Sequence, residues 1–129
     1  MTPARPASLY DRAGGMAFFE RLVDAFYEGV AADPALLAMY PEPADLSGAR
    51  HRLTLFLAQY WGGPTTYDEE RGHPRLRMRH APFAIGPGER DLWLTHMRAS
   101  LERAAPDGDV AAELWRYFEM AAEAMRNRD

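Results

Sequence analysis

Cysteine is absent from the 129 residues. That excludes disulfides, thiolate metal sites and a cysteine nucleophile, and it leaves His, Asp and Glu as the side chains able to ligate a metal. Long apolar runs are also missing. Nothing approaches the roughly 18 residues needed to cross a bilayer, and "MTPARPASLYDR" lacks the apolar stretch of a secretory leader. The expectation is therefore a cytoplasmic protein without integral membrane association. No stretch alternates with the period of two that a strand would show, and there is neither an internal repeat nor a low-complexity tract. Positive charge is in deficit overall: the net charge is −4, which argues against nucleic acid as a partner. One stretch reverses that balance. "RGHPRLRMRH", residues 71 to 80, holds four arginines and no acid, which suits a small anionic ligand better than a long polyanion.

What remains is helical. With 47% hydrophobic residues the chain can bury one continuous core. Residues 1 to 7 read as a flexible tail. Residues 15 to 32 place Phe19, Leu22, Val23, Phe26, Tyr27 and Val30 at helical spacing. A short turn with Leu36, Leu37, Met39 and Tyr40 ends at the prolines of "YPEPADLSG". The next helix is expected to start between Asp45 and Ser47 and to run to Trp61, with Ala49, Leu53, Phe56, Leu57 and Tyr60 on one face. Residues 62 to 75 read as a loop, and "LRMRH" allows one or two helical turns before Pro82. From Pro87 a helix turns Leu92, Trp93, His96, Met97, Ser100 and Leu101 inward. A last helix, from about Asp109 to Arg126, buries Val110, Leu114, Tyr117, Phe118, Ala121 and Met125. The class is all-α.

The four histidines, His51, His73, His80 and His96, include no pair at i, i+4 and no "HExxH". A zinc or dinuclear centre built from the protein alone is not supported. Iron that brings its own equatorial ligands needs only one histidine, and haem is the obvious case. His80 is the best placed, at the end of a short turn, with Leu76, Met78 and Phe83 close in sequence. Arg77 and Arg79 are available to pair with carboxylates. On composition alone the same run reads equally well as a solvated basic loop. Tyr27, Tyr40 and Trp93 are polar-tipped aromatics on apolar faces. Each one alone reads as core, while the set can converge on a cavity to which the small Ala49 gives room.

Taken together, "FYEGVAADP", "MYPEPADLSGA", "RLTLFLAQYWGGPTTYDEERGHPRLRMRHAPFAI" and "ERDLWLTHM" resemble the truncated haemoglobins, and within them group II, the O-type proteins of actinobacteria and related organisms. The likeness runs from "SLYDRAGG" to "EMAAEAM". It implies a truncated globin domain at residues 8 to 129 with the two-over-two helical sandwich, and Gly14-Gly15 and Gly62-Gly63 match its hinge positions. It implies haem b, iron protoporphyrin IX, with His80 as the proximal ligand through Nε2. On the distal side it implies Tyr27, Tyr40 and Trp93 as polar residues, Ala49 where ordinary globins carry the distal histidine, and Leu53 packed on the ligand. Phe56, Tyr60, Leu76, Met78, Phe83 and Met97 would line the porphyrin. Arg79, Arg52 and Tyr67 would meet the propionates, Arg79 the surest of them.

A penta-coordinate ferrous haem binds O2, CO or NO, and distal donors would slow ligand release. Two further readings follow. The same donors suit a peroxidase or NO dioxygenase, which would depend on a separate reductase, since no flavin or nicotinamide domain fits in the chain. A haem-free helical interaction module is the third. Apolar residues on the outer helices are compatible with a homodimer.

Overall fold

The computed structural model describes residues 7–129, apart from the side chain of Arg77. The expected tail, residues 1 to 7, falls almost entirely outside that range. The described residues form eight helices and no strand: α1 (Leu9–Ala13), α2 (Met16–Ala31), α3 (Pro34–Leu37), α4 (Ser47–Tyr60), α5 (Thr66–Arg71), α6 (Leu76–His80), α7 (Pro87–Ala104) and α8 (Gly108–Met125). The all-α expectation holds.

The apolar stripe of α2 is the hub. Phe18, Phe19, Leu22, Val23, Phe26 and Val30 are buried at i, i+3/i+4 spacing, so this helix is covered on two sides. It packs on α4 and on α7, and α7 in turn packs on α8, so the pairs α2/α4 and α7/α8 lie one over the other. Helix starts follow local chemistry. Ser8 Oγ accepts from Asp11 N–H to cap α1, Pro34 opens α3 behind Asp33, and Asp45 Oδ1 accepts from Ser47 N–H at the start of α4. At α7, Pro87 occupies the first turn and Gly86 N–H donates to Glu89 Oε1 at 2.9 Å.

Three expectations need correction. The loop expected over residues 62 to 75 contains α5. That helix has a single buried apolar residue, Tyr67, and so no periodicity to detect. It is held by acids in its first turn, an arginine in its last, and Gln59 Oε1 accepting from Asp68 N–H at 3.0 Å. On α8 the buried stripe runs Val110, Leu114, Tyr117, Phe118 and Ala122, whereas Ala121 and Met125 are only half-buried. Tyr60, expected on the core face of α4, is 49% exposed.

The junction of α1 with α4 depends on the pair Gly62-Gly63. Gly62 has φ 101, in the left-handed region, and its place for a Cβ lies 2.7 Å from Ser8 Cβ. At Gly63 a Cβ would sit 2.6 Å from the Tyr10 ring and 2.8 Å from the backbone oxygen of Ala58. The backbone oxygen cannot move aside cheaply. Gly63→Ala is therefore expected to destabilise the fold by about 1–3 kcal/mol, the usual cost of overpacking, read as a lowered midpoint of urea unfolding.

Candidate functional site

His80 is the last residue of α6, and its ring is fixed by one short contact, Nδ1 to the Leu76 carbonyl at 2.7 Å. A carbonyl only accepts, so Nδ1 carries the proton and donates. In the neutral tautomer Nε2 then holds the lone pair, and no described hydrogen bond occupies it. A neutral imidazole anchored through one nitrogen and free at the other is the form that ligates a metal.

The approach to α6 is built rather than loose. Arg75 sits at φ 45, unusual for a residue with a side chain, and its N–H donates to His73 Nδ1 at 3.1 Å. Arg79 then threads back through the preceding loop. Its Nε donates to the Pro74 carbonyl at 2.6 Å, and its Nη2 donates to the carbonyls of Arg71 at 3.0 Å and His73 at 3.3 Å. The guanidinium expected to face a carboxylate thus spends three donors bracing its own loop. Beyond His80, Asn127 closes the turn: Nδ2 donates to the Phe83 carbonyl at 2.7 Å, and Oδ1 accepts from Ile85 N–H at 2.9 Å. This fixes the loop that follows α6 against the residues just past α8.

The polar aromatics come together from three elements. Tyr27 of α2 and Tyr40, three residues past α3, meet edge to face with ring centroids 5.7 Å apart. Phe26 packs on Tyr27 at 5.1 Å and on Trp93 of α7 at 5.1 Å, wedging Trp93 beside the pair. Burial drives the Tyr27 hydroxyl far above the ordinary phenol range, and the neighbouring Tyr40 adds to that, so Tyr27 stays a neutral donor. Burial also pushes Tyr40 up to about 12, while interactions with the Tyr27 hydroxyl and the Trp93 indole pull it back. Tyr40 thus shares its surroundings with the other two polar aromatics. Beside it, Tyr40, Ala49, Gly48, Leu46 and Arg52 bound a cavity of about 30 Å³, room for roughly one water or one diatomic molecule.

The residues assigned to propionates do not share a place. Arg52 lines the small cavity next to Tyr40, Tyr67 is buried against Phe56 at 5.7 Å, and Arg79 is engaged as described. Arg71, His73, Arg75, Met78 and Arg79 instead border a separate open depression of about 440 Å³. Among the residues expected around the porphyrin, Met97 is fully buried in the core, Phe56 is buried, and Leu76 and Phe83 are half-buried, as is Leu53, expected against the ligand. Met78 is 59% exposed and Tyr60 is likewise open, so α4 and α6 each leave a large apolar side chain uncovered.

These residues fit a haem: a free Nε2 on one side, apolar side chains on α4 and α6, and neutral donors at the far end. Among the described residues no three His, Cys, Asp or Glu side chains converge on a point, so iron here must bring its other ligands with it. The other histidines are engaged elsewhere, His51 with Glu70 at 3.0 Å and His96 with Asp33 at 2.8 Å. The latter contact went unnoticed in the sequence, where 63 positions separate its partners. Asp33 is held below the usual carboxylate range, first by the His96 hydrogen bond and then by the N–H groups of Leu36 and Ala35. A folded-state value below the unfolded one contributes stability above pH about 4, and that contribution is lost as pH falls through the lowered value. Asp33→Asn, which keeps a capping oxygen, is expected to flatten the acid limb of stability against pH, measured by thermal unfolding from pH 6 to 2.

Residues 8–127 match the family described as bacterial-like globins. A thermostable haemoglobin from the actinobacterium Thermobifida fusca is 57% identical and superposes with a TM-score of 0.91, over 94% of this chain and 98% of that one. The haemoglobin of the thermophilic phototroph Chloroflexus aurantiacus is 52% identical with a TM-score of 0.92, over 95% of this chain and 100% of that one. The group 2 truncated haemoglobin of Bacillus subtilis is 39% identical, over 88% of this chain and 85% of its own length. The chain belongs to the bacterial-like globins and, within them, to the group II truncated haemoglobins. Proteins of this family use haem to bind gases such as O2. Among the described residues no helix is long and apolar enough to cross a membrane.

Proposed function

We propose that the protein binds O2 reversibly, and CO and NO likewise, at a penta-coordinate haem b whose only protein ligand is His80, with slow release of the gas. The observation that carries this reading is the His80 ring itself, committed at Nδ1 to the Leu76 carbonyl and open at Nε2. The haem supplies an iron to which a diatomic gas binds and on which it gathers partial negative charge. The chain supplies the rest. Leu76 O orients the imidazole, Leu53 and Phe56 offer apolar contact, Tyr27, Tyr40 and Trp93 present neutral donors, and Ala49 leaves the approach beside Tyr40 open.

Absorption spectra of ferric, ferrous and oxygenated protein test the reading together. A Soret band, a ferrous spectrum of the high-spin penta-coordinate type and a stable oxygenated form are expected. A hexa-coordinate ferrous spectrum would overturn the proposed coordination. Peroxidase or NO-dioxygenase chemistry with a separate reductase is the second reading, supported by the grouping of three polar aromatics around Phe26 and Tyr27. Turnover with peroxide, or with NO and a reductase, distinguishes it from plain oxygen binding.

A further inference from the structure

Asp33 caps α3 with one carboxylate oxygen and reaches α7 with the other. Oδ1 accepts from Ala35 N–H at 3.1 Å and Leu36 N–H at 3.4 Å, and Oδ2 meets His96 Nε2 at 2.8 Å. Both side chains are more than three-quarters buried, so water competes little for the contact. From Asp33 onward the backbone is hydrogen-bonded at every step to Tyr40: Leu37 to Asp33, Ala38 to Pro34, Met39 to Leu36 and Tyr40 to Leu37, all at 2.9–3.1 Å. The segment from Asp33 to Tyr40 is therefore one stiff body.

That body packs against α7. Asp33 meets His96 at one end, and at the other the Tyr40 ring leads to Trp93 through a chain of ring contacts, Tyr40 on Tyr27, Tyr27 on Phe26 and Phe26 on Trp93. Trp93 and His96 lie three residues apart on α7 and share a face. Gly29 of α2 backs the imidazole so closely that a Cβ there would lie 2.6 Å from His96 Nδ1. Ser100 Oγ donates to the His96 carbonyl at 2.8 Å one turn further on. The imidazole thus has a wall behind it and a carboxylate in front.

We propose that the Asp33–His96 pair positions the distal donors, setting the reach of the Tyr40 hydroxyl toward Trp93 and hence the polarity that a gas meets in the pocket. The inference rests on the haem reading above. His96 touches neither gas nor haem; it is a positioning residue that acts through the α3 segment. Removing the hydrogen bond releases one of two anchors, and the Tyr40 hydroxyl then samples more than one place.

The test compares wild type with His96→Leu, which keeps the packing volume, and with His96→Gln, whose amide still donates to Asp33. Asp33→Ser, which keeps the helix cap but is too short to reach α7, serves if His96→Leu fails to fold. In the ferrous CO complex the infrared C–O stretch of wild type is expected to be one narrow band. In His96→Leu or Asp33→Ser it broadens or splits, and O2 release quickens about tenfold, equivalent to about 1.4 kcal/mol. His96→Gln restores both. A C–O band and O2 release unchanged in a folded His96→Leu or Asp33→Ser protein would overturn the inference, as would a folded His96→Gln protein that behaves like the leucine variant. If wild type takes up no haem, the proposed function fails separately. The Trp93 indole resonance in the ¹⁵N spectrum of the same proteins then decides the pairing, by shifting in His96→Leu and returning in His96→Gln, or by failing to do so.

Discussion

His80→Ala is expected to remove haem uptake while leaving the fold intact. His80 is half-buried at the end of a five-residue helix, outside the cluster of buried side chains around α2, so its truncation opens no core cavity. Its loss takes away the atom proposed to bond iron. Titration of the variant with ferric haem is expected to show affinity reduced by more than about 100-fold, since losing only a supporting hydrogen bond behind a metal ligand typically costs about 10–100-fold. The Soret band sharpens on binding and reports the result directly. Far-ultraviolet circular dichroism is expected to match wild type, which separates loss of the ligand from loss of the fold. Added imidazole, able to occupy the vacated position, is expected to recover part of the band. A full Soret band at equimolar haem in His80→Ala would show that another residue holds the iron.

The second large effect concerns the distal side. Trp93→Phe and Tyr27→Phe keep the rings that pack on Phe26 and delete one donor each. A hydrogen bond to a group bearing charge is worth about 1.5–3 kcal/mol, so each substitution is expected to speed O2 release about 10- to 100-fold. The double variant need not show the product of the two, because both residues pack on Phe26 and neighbours that share a partner are not additive. Stopped-flow displacement of O2 by CO gives the rates. Release as slow in both variants as in wild type would mean that the aromatic cluster does not touch the gas.

The helix faces were legible because burial repeats. In α2 every position read as apolar-inward is inward, since a helix covered by two neighbours leaves its pattern little freedom. In α8 the reading slipped by one residue, from Ala121 to Ala122, because alanine at both positions gives the pattern nothing to distinguish. The helix α5 was illegible: with Tyr67 as its one buried residue, it is held by end charges and by a side chain from α4. The trio Tyr27, Tyr40 and Trp93 was legible in part: as polar-tipped aromatics on apolar faces the three can converge on a cavity, and the family resemblance alone assigned them to the distal side. Taken alone, Tyr27 and Trp93 look like ordinary core aromatics, and only the fold brings them together, Tyr27 against Tyr40 and both Tyr27 and Trp93 against Phe26. Contacts that depend on a backbone path stayed hidden. Nothing in the string "RLRMRH" says that Arg79 will turn to three carbonyls, nor does anything join Asp33 to His96 before α3 and α7 are laid together.

The way Arg79 is used bears on the electric field around the molecule. Carbonyls satisfy its donors without cancelling its charge, and among the described residues neither it nor Arg71 nor Arg75 faces an acid. Arg12, Arg50, Arg90, Arg98, Arg103 and Arg126 are all paired with carboxylates. Among the described residues Arg21, Arg52, Arg116 and Arg128 also lack a carboxylate partner, but only beside the helix of His80 do three unpaired arginines, Arg71, Arg75 and Arg79, border one depression in a chain of net charge −4. The result is a local positive pole on that side. In dilute salt such a pole draws small anions and turns acidic surfaces toward it before contact, and at about 0.15 M salt its reach shrinks to roughly 8 Å.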